Sequence, residues 1–185
     1  MTHAMIDIET MAKSSIAPIA SIGAVLFDPH GDWIGDSFHV HVDLDSCVGQ
    51  WGMQMDPDTV LWWLGQSEAA RQALIAGQVR AASLSEALSA LSRFLPTGVT
   101  PWCNGASFDF AILATAYRLV KKPLPWDFWK ERDLRTLKGL NPDLRVERAG
   151  VHHNALDDAR HQARLVQHIL QFNPDLDSSS PCPPK

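Results

Sequence analysis

The segment Met5-Ile6-Asp7-Ile8-Glu9-Thr10 constrains this chain more than any other. Ala4–Ile8 reads as a short buried strand. Alternate residues of a strand share a face, so Asp7 and Glu9 project together while Ile6 and Ile8 point to the other side. Two carboxylates side by side in an apolar strand repel each other and lose hydration, which is costly unless cations neutralise them. The plain alternative is an edge strand with a solvated acidic face.

The surrounding pattern predicts an α/β fold with a mixed sheet. Ile19–Phe27 and Phe38–Val42 read as two further strands, joined through the turn Asp28-Pro29-His30-Gly31-Asp32. Helices follow at Pro57–Leu64, with Asp56 as cap and Pro57 in the first helical position, and at Ser67–Ala76, with Gly77 as a stop. Ser83–Leu95 opens with capping-box spacing, and its Leu84, Leu88, Leu91 and Leu95 recur at helical intervals. A strand at Thr100–Cys103 leads through Asn104-Gly105 to an apolar helix over Phe108–Val120. A strand at Phe128–Asp133, a short helix at Leu134–Leu140, a polar loop to Gly150 and a last helix at Ala155–Phe172 complete the pattern. One domain over residues 1–172 is expected, with a disordered Pro/Ser-rich tail over 173–185.

Composition narrows the class. Hydrophobic residues make up 45% and charged residues 20% of the 185, as in globular proteins. No apolar run approaches the roughly 20 residues of a membrane span, and a carboxylate pair interrupts the N-terminal apolar segment, unlike a signal peptide. A cytoplasmic protein without membrane contact is the expectation. Cys47, Cys103 and Cys182 are widely spaced and are read as free thiols. The net charge of -5 argues against a histone-like basic binder. Arg118–Arg164, however, carries eleven Lys/Arg against seven Asp/Glu, a local excess of positive charge.

Two more segments hold candidate chemistry. Asp109 lies between two phenylalanines at the start of an apolar helix, so that helix end should be deep in the fold; a first-turn acid complementing the helix dipole is the alternative. The stretch Val151-His152-His153-Asn154-Ala155-Leu156-Asp157-Asp158 runs into the last helix, with Asn154 as its N-cap. At about 100° per residue, Ala155, Leu156, Ala159, Ala163, Val166, Ile169 and Leu170 share the core arc. Asp158 sits at the border of that arc. Asp157 lies nearly opposite its centre, in a capping-box-like position, and His161 also points away, so both are expected at the surface. His152 and His153 both precede the helix, and geometry alone does not separate them.

Asp7-Ile8-Glu9-Thr10, Asn104-Gly105-Ala106-Ser107-Phe108-Asp109-Phe110 and His152-His153-Asn154-Ala155-Leu156-Asp157-Asp158 resemble the three motifs of the DEDDh 3′-5′ exonucleases. That superfamily includes the proofreading subunit of bacterial DNA polymerase III, ribonuclease T and oligoribonuclease. The resemblance spans Ala4 to about Phe172 and is closest to the compact exonucleases of phages and prophages, with a mycobacterial exoribonuclease group as relatives. The family's third motif has a His five positions before its Asp, which selects His153 with Asp158. The sister group has Tyr four positions before the Asp; Asn154 stands there. Many members read DxETTG, whereas Met11-Ala12 follow Thr10 here.

The resemblance implies an RNase H-like fold, a mixed central sheet of about five strands flanked by helices. It implies hydrolysis of single-stranded DNA or RNA from the 3′ end to nucleoside 5′-monophosphates. It further implies that Asp7, Glu9, Asp109 and Asp158 hold two divalent cations, Mg²⁺ or Mn²⁺, about 4 Å apart. In the family, the residue matching Asp7 bridges both ions, those matching Glu9 and Asp158 hold the ion that carries the water, and the one matching Asp109 supports the other. His153 is then the general base. Thr10, Met11, Phe108 and Trp62 are the implied contacts to the 3′-terminal nucleotide. Since adjacent helical residues diverge by about 100°, one of Trp62 and Trp63 can stack on a base while the other packs in the core. Arg132, Arg135 and Lys138 are candidate phosphate contacts. Small members often dimerise, so a homodimer is an expectation, with no interface legible in the sequence. The competing readings are a catalytically silent nucleic-acid-binding module on the same fold and a nonspecific endonuclease.

Overall fold

The computed structural model describes residues 2–173 and residue 176. Five strands form one sheet in the order β3-β2-β1-β4-β5. β1 (His3–Thr10), β2 (Ile19–Phe27) and β3 (Ile34–His41) are antiparallel neighbours, and β4 (Thr100–Cys103) and β5 (Arg132–Asp133) continue the sheet parallel to β1. Antiparallel strands can follow one another through tight turns, and parallel ones need long crossovers. The first three strands are accordingly contiguous in sequence, while α1 (Pro57–Leu64), α2 (Glu68–Gln78) and α3 (Leu84–Phe94) separate β3 from β4.

Both faces of the sheet are covered. Ala4, Ile6 and Ile8 meet Leu84, Leu88 and Leu91 of α3 and Ile112, Leu113 and Tyr117 of α4 (Asp109–Leu119) in the larger core. Met5, Val25, Phe27 and Trp102 meet Leu134 of α5 (Leu134–Leu140) and the apolar arc of α6 (Ala155–Phe172) on the other face. Asp7 and Glu9 are in phase with Met5, so they project into the α6 layer, as the strand alternation predicts. A register shift after Glu9 ends the regular ladder, and a small cluster of Met11, Ala20, Trp63 and Ala70 carries α1 and α2 beyond it.

The helix signals act as read. Asp56 accepts from the Asp58 N–H at 3.1 Å, and Ser83 and Glu86 form a reciprocal capping box. Three boundaries differ. β3 begins at Ile34, because Phe27 pairs with Ile34 across the turn. Gly77 lies inside α2 instead of ending it, since its missing side chain makes room for the His41 ring; a Cβ there would lie 2.1 Å from Nδ1. Only Arg132–Asp133 of the expected strand at Phe128–Asp133 pairs with β4, and Phe128–Lys130 forms a short 3₁₀ turn. The expected disordered tail lies outside the described residues apart from Asn173 and Leu176. Cys182 is outside them too, while Cys47 and Cys103 are buried free thiols. No helix among the described residues is long and apolar enough to cross a membrane.

One glycine sets the position of α6. Gly23 pairs with Asp7 across the β1–β2 ladder. A Cβ on Gly23 would lie 2.2 Å from the Ala155 carbonyl carbon and 2.3 Å from the Leu156 nitrogen. The first turn of α6 therefore rests on the backbone of β2, which no other residue permits. Gly23→Ala is expected to force the helix outward, costing about 1–3 kcal/mol as read from the urea midpoint. Unchanged stability would contradict this account of the contact.

Candidate active site

Three elements bring the three motifs together. β1 presents Asp7 and Glu9, both buried, and the first turn of α6 presents Asp158, also buried. Oxygens of Asp7, Glu9 and Asp158 lie within 4.8 Å of one another. Asp109, at the first residue of α4, is 4% exposed, and its Oδ1 accepts from the Ile8 N–H at 3.4 Å. Gln162, one turn beyond Asp158, donates from Nε2 to Asp7 Oδ1 at 2.6 Å, while its buried Oε1 has no partner.

The histidines lie beside this cluster. Asn154 caps α6, accepting from the Leu156 and Asp157 N–H groups. His153 adopts a left-handed backbone with φ 63°. Its ring lies edge-on to Trp62, centroids 4.7 Å apart, and to Trp63 at 5.9 Å. His152 Nδ1 faces His153 Nε2 at 3.2 Å, and nitrogens of both lie within 4.8 Å of an Asp158 oxygen. Asp157 does not close a capping box. Its carboxylate turns back to accept from the Val151 N–H at 2.9 Å, beneath Gly150, whose φ of +89° lets the loop double over it. His161 is half-buried against α6's neighbours and not on the open surface, and its Nδ1 has no partner.

A cavity of about 230 Å³ adjoins Glu9, lined by Ile8, Glu9, Thr10, Ala12, Lys13, Thr59, Trp62 and Phe108. Three residues expected beside a terminal nucleotide, Thr10, Trp62 and Phe108, line it. Met11 does not: its side chain is 5% exposed and packs with Ala20, Trp63 and Ala70. Its N–H and carbonyl are both engaged, with Pro18 O and Asp56 N. The tryptophan pair divides as helix geometry requires. Trp63 is buried and donates to the Thr10 carbonyl at 2.9 Å, and Trp62 is 45% exposed at the cavity.

The family model described as the 3′-5′ exoribonuclease Rv2179c-like domain matches residues 2–170. The chain belongs to this family. It is thus a 3′-5′ exonuclease, and the catalytically silent module is not favoured. The chain is also similar to an exodeoxyribonuclease of enterobacteria phage T4, 27% identical over 71% of this chain and 68% of that protein. Among solved structures it resembles the nuclease domain of 3′hExo, a DEDDh family member bound to rAMP, at 17% identity and TM-score 0.61, covering 93% of this chain and 92% of that one. It also resembles E. coli exonuclease I in complex with a dT13 oligonucleotide, at 14% identity and TM-score 0.70, covering 95% of this chain but 42% of the larger one. These likenesses establish the RNase H-like exonuclease fold.

In this exonuclease, three residues outside the motif positions, Gln162, Arg148 and Arg135, shape the cluster. Arg148, from the loop before α6, places its guanidinium against the Asp158 carboxylate. Arg135 donates to the Asn104 carbonyl at 2.9 Å, lies over Gly105 and draws the Asp109 carboxyl downward in pKa. Arg132 instead binds the carbonyls of Trp129 and Glu131. Gln162 was discoverable by its i+4 spacing from Asp158. Arg148 sits in an aperiodic loop and had no such signal.

Burial dominates the electrostatics. It raises Asp7 well above the usual carboxylate range, helped by Asp109 and Glu9 and opposed by Gln162 and Arg148. It pushes Glu9 to about 8, with help from Asp109. It pushes Asp109 to about 7, against the hydrogen bond from Ile8. His153 is lowered by burial, then by His152 and Arg148. Between the ordinary carboxylate range and about pH 8 the folded protein therefore holds more protons on this cluster than the unfolded chain, so the cluster lowers stability as pH rises through that window. A divalent cation must expel those protons. Calorimetric Mn²⁺ titration at pH 7 in buffers of different ionisation enthalpy is expected to show release of about one proton or more per protein, and affinity that tightens from about pH 6 to about pH 8. Binding without proton release would show carboxylates already ionised.

Proposed function

We propose that this enzyme shortens single-stranded DNA or RNA from the 3′ end by a two-metal mechanism with His153 as general base, releasing nucleoside 5′-monophosphates. The observation that carries this reading is the convergence of the Asp7, Glu9 and Asp158 oxygens within 4.8 Å, beside His153 and next to an aromatic cavity. The donor set fits divalent Mg²⁺ or Mn²⁺: all oxygen, buried and strained by mutual repulsion. Asp7, Glu9, Asp109 and Asp158 would hold the ions. Bound there, they supply charge neutralisation for the phosphodiester and make the attacking water more acidic.

The protein's own residues do the rest. The lowered pKa of His153 keeps its imidazole neutral at pH 7, the form that can accept a proton from the attacking water. Its ring stands nearly perpendicular to those of Trp62 and Trp63. The cavity receives the terminal nucleoside between Trp62 and Phe108, with Thr10 at its floor. Stacking there tolerates any base. Arg135 stands near Asp109, where it can contact a phosphate on the upstream strand. The family description names an exoribonuclease and the phage relative is an exodeoxyribonuclease, so both nucleic acids are reasonable substrates.

The test uses matched 3′-labelled DNA and RNA oligonucleotides with Mg²⁺ or Mn²⁺. His153→Ala is expected to lose about 10²–10⁴-fold in turnover while still binding Mn²⁺ and oligonucleotide. Asp7→Ala is expected to lose metal-dependent activity altogether. Full turnover in the histidine variant would remove it as the base. Cleavage of a circular single strand would point to an endonuclease instead.

A further inference from the structure

Asp158 belongs to two different ligand sets. One is all oxygen, with Asp7 and Glu9; the other is His152, His153 and Asp158, whose ligand atoms also lie within 4.8 Å of one another. The motif resemblance uses only the second histidine, and the proposed mechanism gives His152 no task.

The two imidazoles are close enough to share one ion. Neighbouring side chains in an extended chain diverge. Here His153 has a left-handed backbone, and the two ring centroids lie 4.5 Å apart. That conformation costs a non-glycine residue about 1 kcal/mol or more. The two rings share a hydrogen bond, His152 Nδ1 to His153 Nε2, at 3.2 Å, and an ion bound by both nitrogens would displace its proton. Two nitrogens bound to one tetrahedral ion at about 2.0–2.1 Å stand about 3.3 Å apart. Asp158 supplies the third ligand atom, leaving a fourth position for water. Arg148 now sits on that carboxylate and would have to yield it. Nitrogen-rich sets of this kind suit Zn²⁺ and other borderline transition ions, whereas the oxygen set suits Mg²⁺ and Mn²⁺.

We propose that His152, His153 and Asp158 form a Zn²⁺-class inhibitory site that shares Asp158 with the catalytic metal cluster. An ion held there takes the His153 nitrogen lone pair and draws Asp158 away from the oxygen set, so it stops the reaction without competing for substrate. The inhibition rests on the proposed role of His153 as base. The binding does not.

Zn²⁺ is titrated calorimetrically into the full chain in saturating Mg²⁺, and the same mixtures are assayed for mononucleotide release. The wild type is expected to bind one Zn²⁺ with Mg²⁺ present and to lose activity in step with that binding. His152→Ala is expected to bind Zn²⁺ at least about tenfold more weakly and, measured against its own zinc-free rate, to need correspondingly more for inhibition. His152→Cys, which restores a zinc ligand, is expected to restore both. Equal Zn²⁺ binding and inhibition in wild type and His152→Ala would overturn the proposal. So would inhibition restored by neither ligand. Were the protein inactive on every nucleic acid, the exonuclease reading would fail, and the calorimetric difference between wild type and His152→Ala would still decide the binding site.

Discussion

The contact between Gly23 and the first turn of α6 governs the geometry of the site. It is a backbone-to-backbone approach, so its spacing is set by atoms that cannot change rotamer. Gly23 is the ladder partner of Asp7, and Ala155 rests against it. Asp158 therefore arrives one helical turn from a fixed point beside β1, and Gln162 a turn later reaches Asp7. Beneath them, Met5, Val25 and Phe27 pack against Ala159, Ala163 and Val166. The apolar layer and the acidic cluster share one helix, so the core holds the carboxylates in place.

Holding them there has an electrostatic cost. Buried carboxyl groups close together resist ionisation in a low-dielectric setting, and burial is the leading cause of the upward shifts at Asp7, Glu9 and Asp109. The chain offsets part of this itself through the Gln162 amide, the Ile8 N–H and the Arg148 guanidinium. Arg148 is the informative member, because it supplies a full positive charge on a loop and not on a rigid element.

Much of this was legible from periodicity. Strand alternation placed Asp7 and Glu9 on one face, and the helical arc picked out Ala155, Ala159, Ala163, Val166, Ile169 and Leu170 as buried with Asp158 at their border, although Leu156 is only half-buried and Gln162, Leu165 and Gln167 are buried outside the predicted arc. Those inferences hold because burial imposes a period on the chain. What escaped has no period. Met11 goes into the core because the register shift after Glu9 takes it out of the strand's alternation. Gly77 looked like a stop, yet it serves His41 packing from inside a helix. Asp157 matched a capping-box spacing, but Asn154 satisfies the first amides alone and frees Asp157 to tie down Val151. Arg148 and the facing of His152 on His153 depend on loop conformation, which local composition does not encode.

Helix α1 links recognition to chemistry. Trp63 is anchored to the Thr10 carbonyl, immediately after the β1 carboxylates, and Trp62 beside it forms both the wall of the cavity and the edge contact to His153. Since the two tryptophans are adjacent, the wall cannot move without Trp63 leaving Thr10 or the His153 ring losing its support. Under the proposed reading, a nucleoside stacked on Trp62 would sit beside Glu9 and His153.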